Sequence, residues 1–90
     1  MMNGIDRLLT LARCYAEAEN LDLSQVSWRA LGDSKKLGAL ESGRDIQVRR
    51  CEGAIQWFSD NWPEGLGWPP EIERPLPLVE ARPVSAEAQS

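Results

Sequence analysis

All six prolines of this 90-residue chain lie at or beyond position 63. A proline inside a helix removes a backbone hydrogen bond and clashes with the preceding turn. The arrangement therefore leaves the first 62 residues open to helix and makes a further helix or a central strand improbable in the remainder. Within the first part, apolar residues recur at the three- and four-residue intervals that place them on one helical face.

Over residues 3–20, Ile5, Leu8, Leu9, Ala12, Tyr15 and Ala16 form such a face, and Asp6, Arg7, Arg13, Glu17 and Glu19 take the others. Asn3 can cap this helix, with Asp6 three residues on as its capping-box partner. Asn20, Leu21 and Asp22 interrupt the pattern, and Asp22 with Gln25 repeats the capping logic for a second helix ending near Leu31, with Leu23, Val26 and Ala30 inward. Gly32 stands where a helix end needs a left-handed residue, and Asp33 or Ser34 can cap a third helix running to about Ser42. Leu37 and Leu40 anchor it and Gly43 ends it. Gly38, within it, costs about 1 kcal/mol relative to alanine, which close approach by a neighbour would explain. Asp45 can cap a fourth helix, with Val48, Cys51, Ile55 and Phe58 as its stripe and Ala54 beside it, until Trp62-Pro63. The expectation is an all-α, compact bundle of about four short helices over residues 3–62.

Residues 63–74 hold Leu66, Trp68 and Ile72 among prolines and glycines, enough apolar surface, with Trp62, to lie back on the helices as an arm. Residues 75–90 have no aromatic side chain and a small, polar finish, which reads as a flexible polyproline-like tail. Arg74-Pro75-Leu76-Pro77 superficially resembles a ligand for an aromatic proline-binding groove.

Ninety residues bound the chain to one domain, small enough that pairing into a homodimer is the expected supplement to its stability. There is no histidine, and the two cysteines, Cys14 and Cys51, are far apart and in no metal-ligand spacing, so they read as buried thiols and no metal or cofactor is expected. Without histidine there is no Ser-His-Asp or Cys-His arrangement, and GDSKKLG lacks the spacing of a phosphate-binding lysine loop, so no enzyme is expected. No apolar run approaches a membrane span and no cationic-apolar leader is seen, which places the expected protein in the cytoplasm.

Charge is distributed unevenly. Residues 23–50 carry six cations against three acids, +3, while the rest of the chain, four cations against eleven acids, carries −7. Affinity for an anion follows the local field, so a cationic segment in an acidic protein can still contact phosphate. The same segment reads as a helix-turn-helix centred on Gly32-Asp33. In that motif the second helix enters the major groove of double-stranded DNA, which makes Ser34, Lys35 and Lys36 the expected base readers and Arg29, Arg44, Arg49 and Arg50 the expected phosphate contacts. Arg49 and Arg50 begin a helix, where cations oppose the dipole, and an anionic partner would supply a reason. Against this stand four tryptophans, a residue costly to expose and frequent at protein interfaces. Trp62 and Trp68 fit as clamps for the arm. Trp28 and Trp57 are candidates for a protein interface, and with the net charge of −4 they sustain a second expectation, an acidic adaptor or anti-regulator that binds a protein partner.

The run SWRALGDSKKLGALESG, with Arg29, Ala30, Leu31, Asp33, Leu37, Leu40 and Gly43, resembles a pattern in small phage-borne and alphaproteobacterial helix-turn-helix-like proteins. The ending WFSDNWPEGLGWP is similar to the C-terminal signature of some of them. The resemblance covers about half the chain and implies a repressor-like helical fold and a regulatory role as a small transcriptional regulator from a prophage or mobile element. With Gly32 as the turn glycine, Trp28 stands where that motif usually has a small residue and Ser27 where it has an apolar one.

Overall fold

The computed structural model describes residues 2–75. Four helices follow one another: α1 (Gly4–Glu19), α2 (Leu23–Leu31), α3 (Lys36–Glu41) and α4 (Val48–Asp60). No strand occurs among the described residues, so the fold is all-α, as the periodicity implies.

The first two helices begin with the expected boxes. Asn3 Oδ1 accepts the Asp6 amide at 2.8 Å and the Asp6 carboxylate accepts the Asn3 amide at 3.4 Å. Asp22 and Gln25 repeat the exchange at 2.9 and 3.1 Å, and the Ser24 hydroxyl also donates to Asp22. The Gln25 amide first, then the Ser24 hydroxyl, hold the Asp22 carboxyl below its ordinary pKa. α1 ends on Asn20 in the left-handed region at φ 57°, and α2 ends on Gly32 at φ 71°.

The next two helices start differently from the sequence expectation. Neither Asp33 nor Ser34 is the N-cap of α3: the helix begins two residues later at Lys36, with Lys35 in the cap position and no side-chain cap bond. Asp33 instead accepts the Lys35 amide at 2.9 Å, so its carboxylate closes the turn before the helix. Asp45 likewise does not cap α4. Its carboxylate is taken by the adjacent Ile46 amide at 2.9 Å, and Gln47 occupies the cap position without a side-chain bond. At the far end of α3, Gly43 lies at φ 101°, its amide reaching Leu40 O and the Arg44 amide reaching Ala39 O, the paired bonds of a Schellman ending.

α1 touches each of the other three helices. That explains Leu11, which the interval pattern leaves off the inward face yet which is as fully buried as Leu8: a helix covered on several sides needs a wider apolar stripe. Val26, Leu37 and Phe58 complete the centre. Two expectations about this core are corrected. Val48 is 71% exposed, so the apolar stripe of α4 is covered only from Cys51 onward. Gly38 faces open space, with nothing near a Cβ built on it, so close packing does not account for it. Cys51 is buried as expected, whereas Cys14 is only half-buried. Burial, reinforced by Glu52 and opposed by Arg7, pushes the Cys51 thiol up in pKa.

The proline-rich arm returns to the bundle. Ile72 is 2% exposed and belongs to the same core. The Trp62 indole donates to Leu66 O at 2.9 Å and the Trp68 indole to Ile72 O at 2.7 Å, so each ring packs while its polar edge holds the arm's own backbone. Edge-to-face contacts run from Tyr15 and Trp57 through Phe58 and Trp62 to Trp68. Arg74 lies over Trp68 at 5.0 Å and donates to Ser59 O at 2.8 Å. Pro75 O accepts the Ser59 hydroxyl at 3.0 Å. The remainder of the expected tail, and with it the second half of Arg74-Pro75-Leu76-Pro77, lies outside the described residues. No described helix is long and apolar enough to cross a membrane.

Candidate nucleic-acid interface

The corner between α2 and α3 is shaped from within by Ser27, which is fully buried although it is polar. Its hydroxyl donates to Asp33 O and accepts the Leu37 amide at 3.0 Å. One small side chain thus ties the turn to the first residues of α3. A larger side chain would separate the two helices, and one without a hydroxyl would leave a buried amide without an acceptor. Ser27 is therefore the small residue at the helix contact, and Trp28, one position on, turns outward and is 63% exposed. The resemblance puts Trp28 at the position of a small residue, whereas the small buried side chain here is Ser27. The signal for a buried Ser27 is in the sequence, since Leu23, Val26, Ser27 and Ala30 fall at the intervals of one helical face, with Ser27 in the middle of an otherwise apolar stripe.

With the turn fixed from inside, Ser34 and Lys35 are exposed and Lys36 is half-buried at the start of α3. The residues expected to contact phosphate distribute themselves around this corner unequally. Lys36 and Arg50 line one shallow groove together with Asp45, Ile46 and Gln47. Lys36 Nζ donates to Asp45 O at 3.2 Å and an Arg50 guanidinium nitrogen donates to Leu31 O at 3.1 Å. Both partners are backbone carbonyls, so each side chain keeps its charge and further donors. On the other side of the turn, Ser34 shares a groove with Arg29, Trp28, Ser24 and Gln25, and Arg29 also donates to the Tyr15 hydroxyl at 3.2 Å. Arg44 and Arg49 are exposed and line neither groove.

The position of Arg50 has a local explanation. It stands in the first turn of α4, against that helix's dipole, but its guanidinium reaches the last carbonyl of α2, where the opposite end of another dipole favours a cation. The bond also satisfies a carbonyl that the end of α2 leaves without a helical donor. An anionic partner is not required to account for Arg50, whereas Arg49 beside it has no such bond among the described residues. Trp57 is similarly absorbed: half-buried, it meets the Tyr15 ring at 5.4 Å and the Phe58 ring at 5.2 Å, which leaves Trp28 as the exposed tryptophan among the described residues.

No family model, curated protein or solved structure matches this chain.

Proposed function

We propose that this chain is a small DNA-binding transcriptional regulator of helix-turn-helix type, cytoplasmic and of the kind carried by prophages and other mobile elements. One observation carries the reading. The α2–α3 turn is pinned from inside by Ser27, while its outer side offers Ser34 and Lys35 to solvent with cations on both flanks, Arg29 in one groove and Lys36 with Arg50 in the other. A rigid polar loop between positive walls suits a duplex, in which phosphates hold the protein in register and base edges are read between them. On this reading Ser34, Lys35 and Lys36 face the major groove, the lysines donating to guanine O6 and N7, and Arg29, Arg44, Arg49 and Arg50 hold the phosphates. A gel shift against genomic fragments at two salt concentrations tests it. Binding that weakens with salt and is lost when Lys35 and Lys36 become alanine is expected; no binding at low salt, or binding indifferent to those substitutions, rejects it.

A second reading is favoured by Trp28, whose exposed ring lies beside Arg29 and Ser34. An indole left in water next to an arginine has the composition of a protein-binding hot spot. The chain would then be an acidic adaptor or anti-regulator that keeps the fold. A stoichiometric protein partner recovered by affinity purification and lost on Trp28→Ala, with no retention on DNA, would replace the first reading by this one.

A further inference from the structure

The exposed Val48 marks a second surface, at the N-terminal end of α4. It lines a groove of about 390 Å³ whose apolar wall is Ile5, Ile46, Cys51 and Ile55, and whose charged residues are Arg7 from α1, Asp45 from the preceding loop and Glu52 from α4. Three features of this groove belong together. A β-branched side chain is 71% exposed beside three isoleucines that are only half-buried, so apolar surface continues outward from the core, bordered at Ile55 by Glu73 and Pro75 of the arm. Arg7 and Glu52 are both exposed and share the groove, yet neither makes an ion pair among the described residues; the pair found there is Arg13 with Glu41, elsewhere on α1 and α3. The groove also adjoins the one lined by Lys36 and Arg50, with Asp45 and Ile46 common to both.

We infer that this groove is the face through which two copies of the chain pair. In a two-fold interface any residue that meets another does so twice, with the roles exchanged, so a surface must be complementary to itself. The apolar wall with Arg7 and Glu52, neither in an ion pair among the described residues, meets that condition, the Asp45 carboxylate being taken by the Ile46 amide. Val48 of each copy enters the other's isoleucine-lined groove, and Arg7 of each copy faces Glu52 of the second. A partner of uniformly basic or acidic character would leave one sign of charge opposed to itself. Through the shared Asp45 and Ile46, the Lys36–Arg50 groove of each copy borders the interface. The pairing rests on this face alone and does not depend on what the α2–α3 corner binds.

Sedimentation of the full chain over a concentration series tests it, with circular dichroism as the control for folding. The wild type is expected to dimerise, and Val48→Glu, at a position already exposed in the single chain, to keep its helices while weakening dimerisation by about 100-fold. Arg7→Glu alone is expected to weaken it and Arg7→Glu with Glu52→Arg to restore it, a rescue that a merely structural role for either residue would not give. A wild type that remains monomeric throughout overturns the inference, as does a dimer indifferent to Val48→Glu. A monomer in which Val48 becomes accessible to solvent probes only after removal of residues 76–90 also overturns it, assigning the groove to the chain's own end.

Discussion

Trp28 and the group of Trp57, Trp62 and Trp68 are the same residue in two different circumstances. The three later tryptophans are consumed by the fold: each has a ring packed edge-to-face on another aromatic side chain, and the indoles of Trp62 and Trp68 hold the arm's backbone. Trp28 stands on a polar corner, exposed, beside a turn whose order comes from a buried serine. The C-terminal region uses aromatic burial to hold a proline-rich segment that cannot form helix. The α2–α3 corner uses hydrogen bonds and leaves its large and charged side chains outside. We expect stability to depend most on the first region, and under the proposed function recognition belongs to the second.

Substitutions at the centre of the aromatic region should have the largest effect. Phe58, fully buried and in contact with Tyr15, Trp57 and Trp62, is expected to lose about 3–5 kcal/mol of unfolding free energy on Phe58→Ala, measured by urea denaturation. An effect below about 1 kcal/mol would mean the aromatic cluster is not the stabilising region. Ser27→Ala tests the corner in the same assay. It should cost about 1–3 kcal/mol, the penalty for leaving the buried Leu37 amide without its acceptor, although only one oxygen atom is removed.

Trp28→Ala should be nearly silent in stability, within about 0.5 kcal/mol, despite removing the largest kind of side chain. Acrylamide quenching sharpens the point, since Trp28→Phe should remove most of the readily quenched emission while Trp62→Phe should not. The smallest effect concerns the start of α2. The Asp22 carboxyl is held below its ordinary pKa by the Gln25 amide and the Ser24 hydroxyl, so its contribution is present above the ordinary carboxyl value and is lost as pH falls through the lower folded one. Asp22→Asn should therefore flatten the fall of stability with pH in that acidic range and change nothing in the dependence at neutral pH. A steeper fall in the variant would reverse the assigned sign.

How legible each region is in the sequence follows from the range of the forces that set it. The boxes of Asn3–Asp6 and Asp22–Gln25, the left-handed ends at Gly32 and Gly43, and the proline stop after α4 are local, decided by residues within one turn of each other, and all stand where the spacing puts them. The starts of α3 and α4 depart from the spacing because Asp33 and Asp45 each have a nearer amide to bind than a helix N-terminus. Val48 and Leu11 depart from it for a tertiary reason: periodicity gives a face, but only the neighbours decide how much of that face is covered. At the corner, the charges are visible in the sequence and their partners are not. That Arg50 reaches Leu31 O, that Lys36 reaches Asp45 O and that Ser27 is the internal fastener depend on contacts between residues up to 19 positions apart.

The claim that the α2–α3 corner binds DNA through its cations is tested most directly by the salt dependence of that binding. Fluorescence anisotropy on a duplex chosen from genomic fragments, titrated at several salt concentrations, gives the slope of log affinity against log salt. Replacing Arg44 and Arg49, which are assigned to phosphate, by alanine is expected to reduce the magnitude of that slope by about 2, while Trp28→Ala leaves it unchanged. The opposite pattern, a slope untouched by the arginines with binding abolished at Trp28, or no binding to DNA even at low salt, would contradict that claim.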